Sequence, residues 1–383
     1  MPPRGHEATV ARATVEDLDR PRKQEQEQAV AEVSEVAPGV LRAQLPISMP
    51  GLGHVNCYLL EDERGVAVVD PGLPGSESWS HLVDRLGRGG FRVADVHTVI
   101  VTHSHPDHFG GAYRLRHETG ADVITHESFQ SLFDGSGEAT VDDHGMVSAD
   151  AADLVFNSAE ERIVAIERYL SRSTPWGGTR TGPSREFLET LWADDPTSSG
   201  LAGPLKPTRP LIDGQAIRLA RREWLAMHTP GHTHDHLCLY DPEHGVVLTG
   251  DHVLPTITPH ISGLTLHDDP LALFFASLQR MVRLEVTVAL PAHGHPFTDL
   301  SGRSEHIIDH HEDRLEIIRT AGADLHEGAV NNGTVKDYMK VLFRERSWGD
   351  MAESETYAHL EHLRIIGDFV RTTVDGLARY APA

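Results

Sequence analysis

The sequence predicts an α/β fold, a sheet layered with helices, interrupted once by a long helical insertion and closed by a helical tail. Three observations carry that prediction. Apolar runs of strand length recur along the chain, each ending at Gly, Pro, Asp or His. Segments of helical spacing stand between them, as in Ser78–Leu86 and Pro270–Met281. From Gly302 onward the apolar residues keep helical spacing to the end.

The elements follow in order. Residues 1–35 are polar and charged and read as a disordered or loosely helical leader, to be followed by a main domain over 36–300. Strands are expected at Val40–Pro46, Val55–Leu60 and Val66–Asp70, the last closed by Pro71 and Gly72. The helix Ser78–Leu86 then leads into a strand Val96–Val101. A helix from Asp107 to Arg116 and a strand Ala121–Thr125 follow. Residues 127–208 break this rhythm with helical pieces at Ala159–Ser171 and Arg185–Trp192, joined by Ser-, Gly- and Pro-rich stretches. They read as an insertion over the active site, with Trp176 and Trp192 either walling a pocket or packing the insertion to the body. Strands resume at Ala216–Leu219, Glu223–Met227, His236–Tyr240 and Val246–Thr249, and after the helix Pro270–Met281 a last strand runs Val286–His293. The tail, 301–383, carries helical patterns at Ser304–Thr320, Val335–Phe343 and Glu355–Val370.

The densest chemistry lies at Thr102–Ala112, T-H-S-H-P-D-H-F-G-G-A. His103, His105, Asp107 and His108 are released into a tight loop by the strand before them, a natural way to build a metal site. The chain holds 26 His, so a His-rich solvated loop is the plain alternative to weigh. The later strands decide against it. His232 follows one apolar run, Asp251 ends another and His293 ends a third, so a sheet would gather all seven groups at one edge.

Taken together, the H-x-H-x-D-H run, His232, Asp251 and His293 resemble the metallo-β-lactamase fold hydrolases over roughly residues 36–300. The resemblance implies a four-layer αβ/βα sandwich. It also implies two divalent metal ions, zinc first, with iron or manganese accepted by the same donors. His103, His105 and His232 would hold one ion, Asp107, His108 and His293 the other, with Asp251 between them. A bridging hydroxide would be the nucleophile, and Asp107 would orient it as a catalytic residue. The tail and the T-P-G-H-T-H-D-H-L stretch at 229–237 resemble the glyoxalase II-like, β-lactamase-like branch with its winged-helix-like C-terminal region.

The implied reaction is hydrolysis of a small-molecule thioester, ester or lactone. A metal-dependent endoribonuclease of the same branch and an iron-dependent persulfide dioxygenase are the alternatives. β-Lactam hydrolysis is disfavoured, because the best-known subclass has a cysteine ligand where this chain has Asp251. His260 and His54 are candidate substrate-binding residues beside Trp176. His234 and His236 are expected to support the His232 loop, and His126 to be structural. His306 and His310 share a helix face without a carboxylate partner in view.

Composition bounds the partners. Lys plus Arg number 34 against 57 Asp plus Glu, and the net charge of −23 opposes a nucleic-acid phosphate backbone at long range. No apolar run approaches the ~18 residues of a membrane span, and Met1–Glu7 lacks a secretory apolar core. The cytoplasm is therefore the expected compartment. The two cysteines, Cys57 and Cys238, sit in strand-like runs and read as small core residues rather than as a disulfide. A small-molecule substrate, no membrane and a homodimer complete the expectations.

Overall fold

In a computed structural model of the chain, two mixed sheets pack face to face and carry helices on both outer faces. The structure describes residues 23–49, 51–130, 205–265, 267–327 and 333–383, with 160, 163, 164, 167, 173–179, 185, 186 and 189. The leader up to residue 22, most of the 127–208 insertion and Trp192 lie outside the described residues.

The first sheet runs β1 (Val33–Ala37), β2 (Val40–Met49), β3 (Leu52–Asp62), β4 (Gly65–Val69), β5 (Val96–Ile100), β6 (Asp122–His126) and β7 (Arg209–Leu211), in that spatial order. Its first four strands are antiparallel and the remaining pairings parallel. The second sheet is ordered β12 (Val288–Pro291), β11 (Val246–Gly250), β10 (Leu237–Asp241), β9 (Arg222–His228) and β8 (Ala216–Leu219). Only β11 and β12 are parallel there.

Central strands are buried on both faces. That is why β10 and β11 read as unbroken apolar runs, whereas the edge strand β8 alternates. Between the sheets lie Val40, Tyr58, Ile100 and Leu211 from one side and Trp224, Leu239, Leu248 and Leu290 from the other. Outside the first sheet, α1 (Ser76–Arg88) and α3 (Ala112–Thr119) cover Leu59, Val68 and Val99. Outside the second, α4 (Pro270–Val282) and α5 (Leu300–Glu327) cover Cys238, Val247 and Ala289. This is the helix–sheet–sheet–helix layering expected from the sequence. Cys57 and Cys238 are both buried and unpaired, as expected.

Three local results differ from the sequence reading. The helix expected from Asp107 to Arg116 is two pieces, α2 (Pro106–Phe109) and α3, parted at Gly110 and Gly111. The backbone of Leu73 and Pro74 passes so close that a Cβ on Gly110 would stand 2.2 Å from Pro74 N. Second, the leader gains structure from Lys23: a tight turn Gln24–Gln26 inserts Glu25 completely, and β1 begins at Val33. Third, the tail is not helical throughout. The helices α5, α6 (Val335–Leu342) and α7 (Asp350–Ile365) are present, but the pattern read as Glu355–Val370 stops at Ile365. Strands β13 (Gly333–Thr334), β14 (Phe369–Val374) and β15 (Leu377–Pro382) then form a sheet of order β13-β15-β14. Asp375 and Gly376 link β14 to β15 with φ of 53° and 75°, the two-residue hairpin turn that an Asp-Gly pair favours.

Candidate metal centre

The strands β5, β9, β11 and β12 end at the same edge of the two packed sheets, and the loops beyond them carry the seven ligand-type residues. His103 and His105 follow β5, His232 follows β9, Asp251 follows β11 and His293 follows β12. Proline at the first position of α2 sets the short turn that presents Asp107 and His108.

Their donor atoms converge. His105 Nδ1 lies 3.0 Å from His103 Nε2 and 3.1 Å from His232 Nε2. Asp107 Oδ2 is 3.5 Å from both His108 Nε2 and His293 Nε2. Asp251 stands between these groups. Its Oδ2 is 3.9 Å from His103 Nε2 and 3.6 Å from each of His232 Nε2 and His108 Nε2, while Oδ1 is 3.3 Å from His293 Nε2. Four donors bonded tetrahedrally at about 2.0–2.1 Å would stand about 3.3–3.4 Å apart, so these spacings suit an ion held among them. The ligand atoms of His103, His105, His232 and Asp251 lie within 4.8 Å of one another, as do those of Asp107, His108 and His293.

The far side of each ring sets its direction. His232 Nδ1 donates to the carbonyl of His260 at 2.7 Å, and His293 Nδ1 to the carbonyl of His54 at 2.6 Å. Because carbonyls only accept, both rings carry their proton on Nδ1 and turn a lone pair on Nε2 inward. His108 Nδ1 is held by Asp70 at 2.9 Å. His103 Nδ1 meets Thr102 Oγ1 at 3.0 Å.

The electrostatics fit a bound cation. His108 Nε2, His293 Nε2 and Asp251 Oδ1 are buried without a hydrogen-bond partner, a costly arrangement unless something else satisfies them. Burial works against the charge of Asp251, yet His293 and His108 hold it well below the usual carboxylate range. Burial likewise opposes ionisation of Asp107, and His108 still pulls it down to about 2. On His108 burial favours the neutral ring, but Asp107, Asp251 and Asp70 together raise it well above its ordinary value. His105, buried beside His232, falls to about 3. The carboxylates thus draw a proton onto His108, at a place where a metal ion would lie. The donor set fits divalent ions held by nitrogen and oxygen.

Two of the expected substrate contacts are placed differently. His54 is fully buried, with Nδ1 donating to the Glu27 carbonyl at 2.8 Å and Nε2 accepting from Gly294 N–H at 3.1 Å. Both ring nitrogens are used, so His54 buttresses the His293 loop and has no polar atom left for a substrate. Trp176 is buried against Tyr357, with ring centroids 4.9 Å apart, and its indole N–H donates to Glu353 at 3.2 Å. It packs the insertion to the C-terminal region, the plainer of its two sequence readings. His260 is half-buried, its ring beside Glu355.

Of the two histidines expected to support the His232 loop, His234 instead bonds the Ser128 carbonyl through Nε2 at 2.9 Å. His236 joins Thr229 Oγ1 at 2.7 Å and accepts from Asp251 N–H at 3.0 Å. His126 stacks on His228 at 3.7 Å. A further group, His311, Glu355 and His359, is buried in the C-terminal region. Arg314 pairs with Glu355 there, which already neutralises the carboxylate a cation would need.

Asp70 is one residue the sequence reading missed. It ends β4 with φ of 52° and is buried, accepting from Thr102 N–H at 2.9 Å and Thr102 Oγ1 at 2.8 Å as well as holding His108. Its signal was the one already used for Asp251, a carboxylate closing an apolar strand. Asn56 was missed too. Its amide donates to the carbonyls of Pro291 and Gly294, both at 2.8 Å, and so ties β3 to the His293 loop.

Residues 50–293 match the family model described as the metallo-beta-lactamase superfamily. The chain belongs to that superfamily. Its described residues include His and Asp groups that could hold metal. Among solved structures it resembles a metallo-beta-lactamase family protein from Thermus thermophilus, with TM-score 0.66 and 28% identity over 91% of this chain and 100% of that one. A beta-lactamase domain protein from Burkholderia ambifaria gives TM-score 0.67 and 26% identity over 93% and 96%. Among curated relatives, an atrochrysone carboxyl ACP thioesterase from Aspergillus fumigatus is 35% identical over 34% of this chain and 29% of its own length. One of the same name from Aspergillus terreus is 28% identical over 50% and 58%. A probable metallo-hydrolase from Bacillus subtilis is 24% identical over 70% and 76%. The chain thus spans less than two thirds of the length of these two thioesterases. No helix among the described residues is long and apolar enough to cross a membrane.

Proposed function

We propose that this metallo-beta-lactamase fold protein is a dinuclear metal-dependent hydrolase of a small-molecule thioester, with ester or lactone as neighbouring substrates. The placement of Asp251 between two groups of imidazoles carries the reading, because its two oxygens face both. Two dications side by side repel, and a shared carboxylate offsets that repulsion. The thioesterase names of several relatives favour a thioester, and the net charge of −23 favours a small molecule over nucleic acid.

In this reading His103, His105 and His232 would hold one ion and Asp107, His108 and His293 the other, with Asp251 shared. Zinc is the expected metal. When bound, such ions lower the pKa of water toward neutrality and polarise an acyl oxygen. The chain's own residues supply orientation. Asp107, buried and anionic, accepts a hydrogen bond from the attacking water and aims its lone pair at the acyl carbon. His54, His260 and Asp70 keep the ligating rings from turning. As the C–O bond forms, the water's proton passes to Asp107; the C–S bond then breaks, and the thiolate leaves with the electron pair and takes up that proton.

Elemental analysis joined to a thioesterase assay that reads free thiol tests this. About two metal ions per chain and thiol release that stops on chelation are expected. Full activity in metal-free protein would overturn the metal reading, and cleavage of single-stranded RNA without thioester turnover would replace the substrate.

A further inference from the structure

We propose that Glu355, on the C-terminal helix α7, is a positioning residue for the metal centre and acts through His260. The segment between β11 and α4 carries the carbonyl of His260, which orients the Nδ1 proton of His232 at 2.7 Å. The stretch 254–263 has neither helix nor strand, so side chains from elsewhere must fix its course.

The C-terminal region holds one end. His260 Nδ1 lies 3.3 Å from Glu355 Oε2, and the other Glu355 oxygen is paired with Arg314 of α5. Next to it, Ser354 Oγ accepts from Gly263 N–H at 3.0 Å. Helix and loop are so close that a Cβ on Gly263 would stand 2.5 Å from the Tyr357 ring. The other end is held by Glu25, whose carboxylate accepts from Thr256 N–H at 2.7 Å and Ile257 N–H at 3.1 Å. Arg303 donates to the carbonyls of Leu254 and Ile257 at 2.7 and 2.6 Å.

Glu355 is buried and fixed by Arg314, so it is a rigid anchor, and His260 is the tether between it and the loop. Cutting the tether frees the carbonyl, lets the His232 ring turn about its side-chain bonds and misaims Nε2. Supporting hydrogen bonds of this kind govern affinity for the ion more than they govern the fold.

The inference rests on the metal reading above, and one set of zinc titrations separates the two. Zinc binding is measured on the full chain by competition with a chromophoric chelator. The variants are His260→Ala, Glu355→Gln and the double variant. His260→Ala keeps the carbonyl and leaves the Arg314–Glu355 pair whole, so it folds even where a change at the buried Glu355 does not; thermal melting checks this. One zinc is expected to bind about 10–100-fold more weakly in each single variant, while the other is little changed. The double variant should be no weaker than the worse single one, because both cut the same tether. Raised KM with unchanged zinc affinity in His260→Ala would overturn the proposal and make His260 a substrate contact. Additive losses would overturn it as well. A wild-type protein that binds no zinc would instead remove the metal reading itself.

Discussion

Asp70 Oδ2 lies 2.9 Å from His108 Nδ1, and both side chains are buried. Asp70 comes from the end of β4 and His108 from α2, and the parallel pairing of β4 with β5 brings the two together. Asp70 also accepts from Thr102, so one carboxylate fixes both the loop entering the ligand run and the ring at its end. Exchange to Asp70→Asn keeps the shape and removes the charge. Metal affinity and kcat/KM should fall by about 10–100-fold, checked by metal titration beside a thioesterase assay.

Asp251 contacts both ligand groups, so its loss should be felt in both. In Asp251→Ala, turnover should drop by more than about 100-fold while the circular dichroism spectrum stays native. Its side chain lies at the sheet edge and not between the sheets, where the core packs. Near-wild-type turnover would sink the shared-ligand mechanism.

Stability should depend on His359. The ring is buried, and burial lowers it from 6.5 to about 4, with Glu355 opposing. The unfolded chain therefore binds a proton between those values that the folded chain does not. Its contribution is fully present above 6.5 and is lost as pH falls from 6.5 to 4, at no more than about 1.4 kcal/mol per pH unit. Urea unfolding of wild type and His359→Gln at about pH 7 and about pH 4.5, on either side of most of that loss, measures it, and the variant should show the shallower decline.

Trp224 lies between the sheets, fully buried, with its indole N–H on the Leu219 carbonyl at 3.1 Å. Trp224→Ala should cost about 3–5 kcal/mol in denaturant unfolding, since it opens a cavity that the two sheets cannot close.

Much of this site was legible because ligands at strand ends leave a local trace. His103, His105, His232, Asp251 and His293 each follow an apolar run, and Asp107 and His108 sit within the turn after one. The outer contacts leave no such trace. His54 looked like a substrate residue because it precedes a strand near the site, but its ring nitrogens are taken by Glu27 and Gly294, far away in sequence in both directions. Glu25 lies in a stretch polar enough to read as leader, and only its contact with the 256–257 backbone shows why it is buried. The Asp375-Gly376 turn was local and readable; the helical pattern before it masked the hairpin.

What this chain's sequence determines by itself is the donor chemistry: which imidazoles and carboxylates exist, and that each waits at the end of a strand. That information is local, carried by residue type and the periodicity of burial. The tertiary structure alone decided which nitrogen of each ring faces inward. It also decided that Asp70, His54 and His260 hold the rings in place. Those outcomes depend on pairings between strands and loops up to 240 residues apart, such as Gly294 N–H with the ring of His54. Where two such segments meet is set by the packing of whole sheets, which no stretch of sequence encodes on its own.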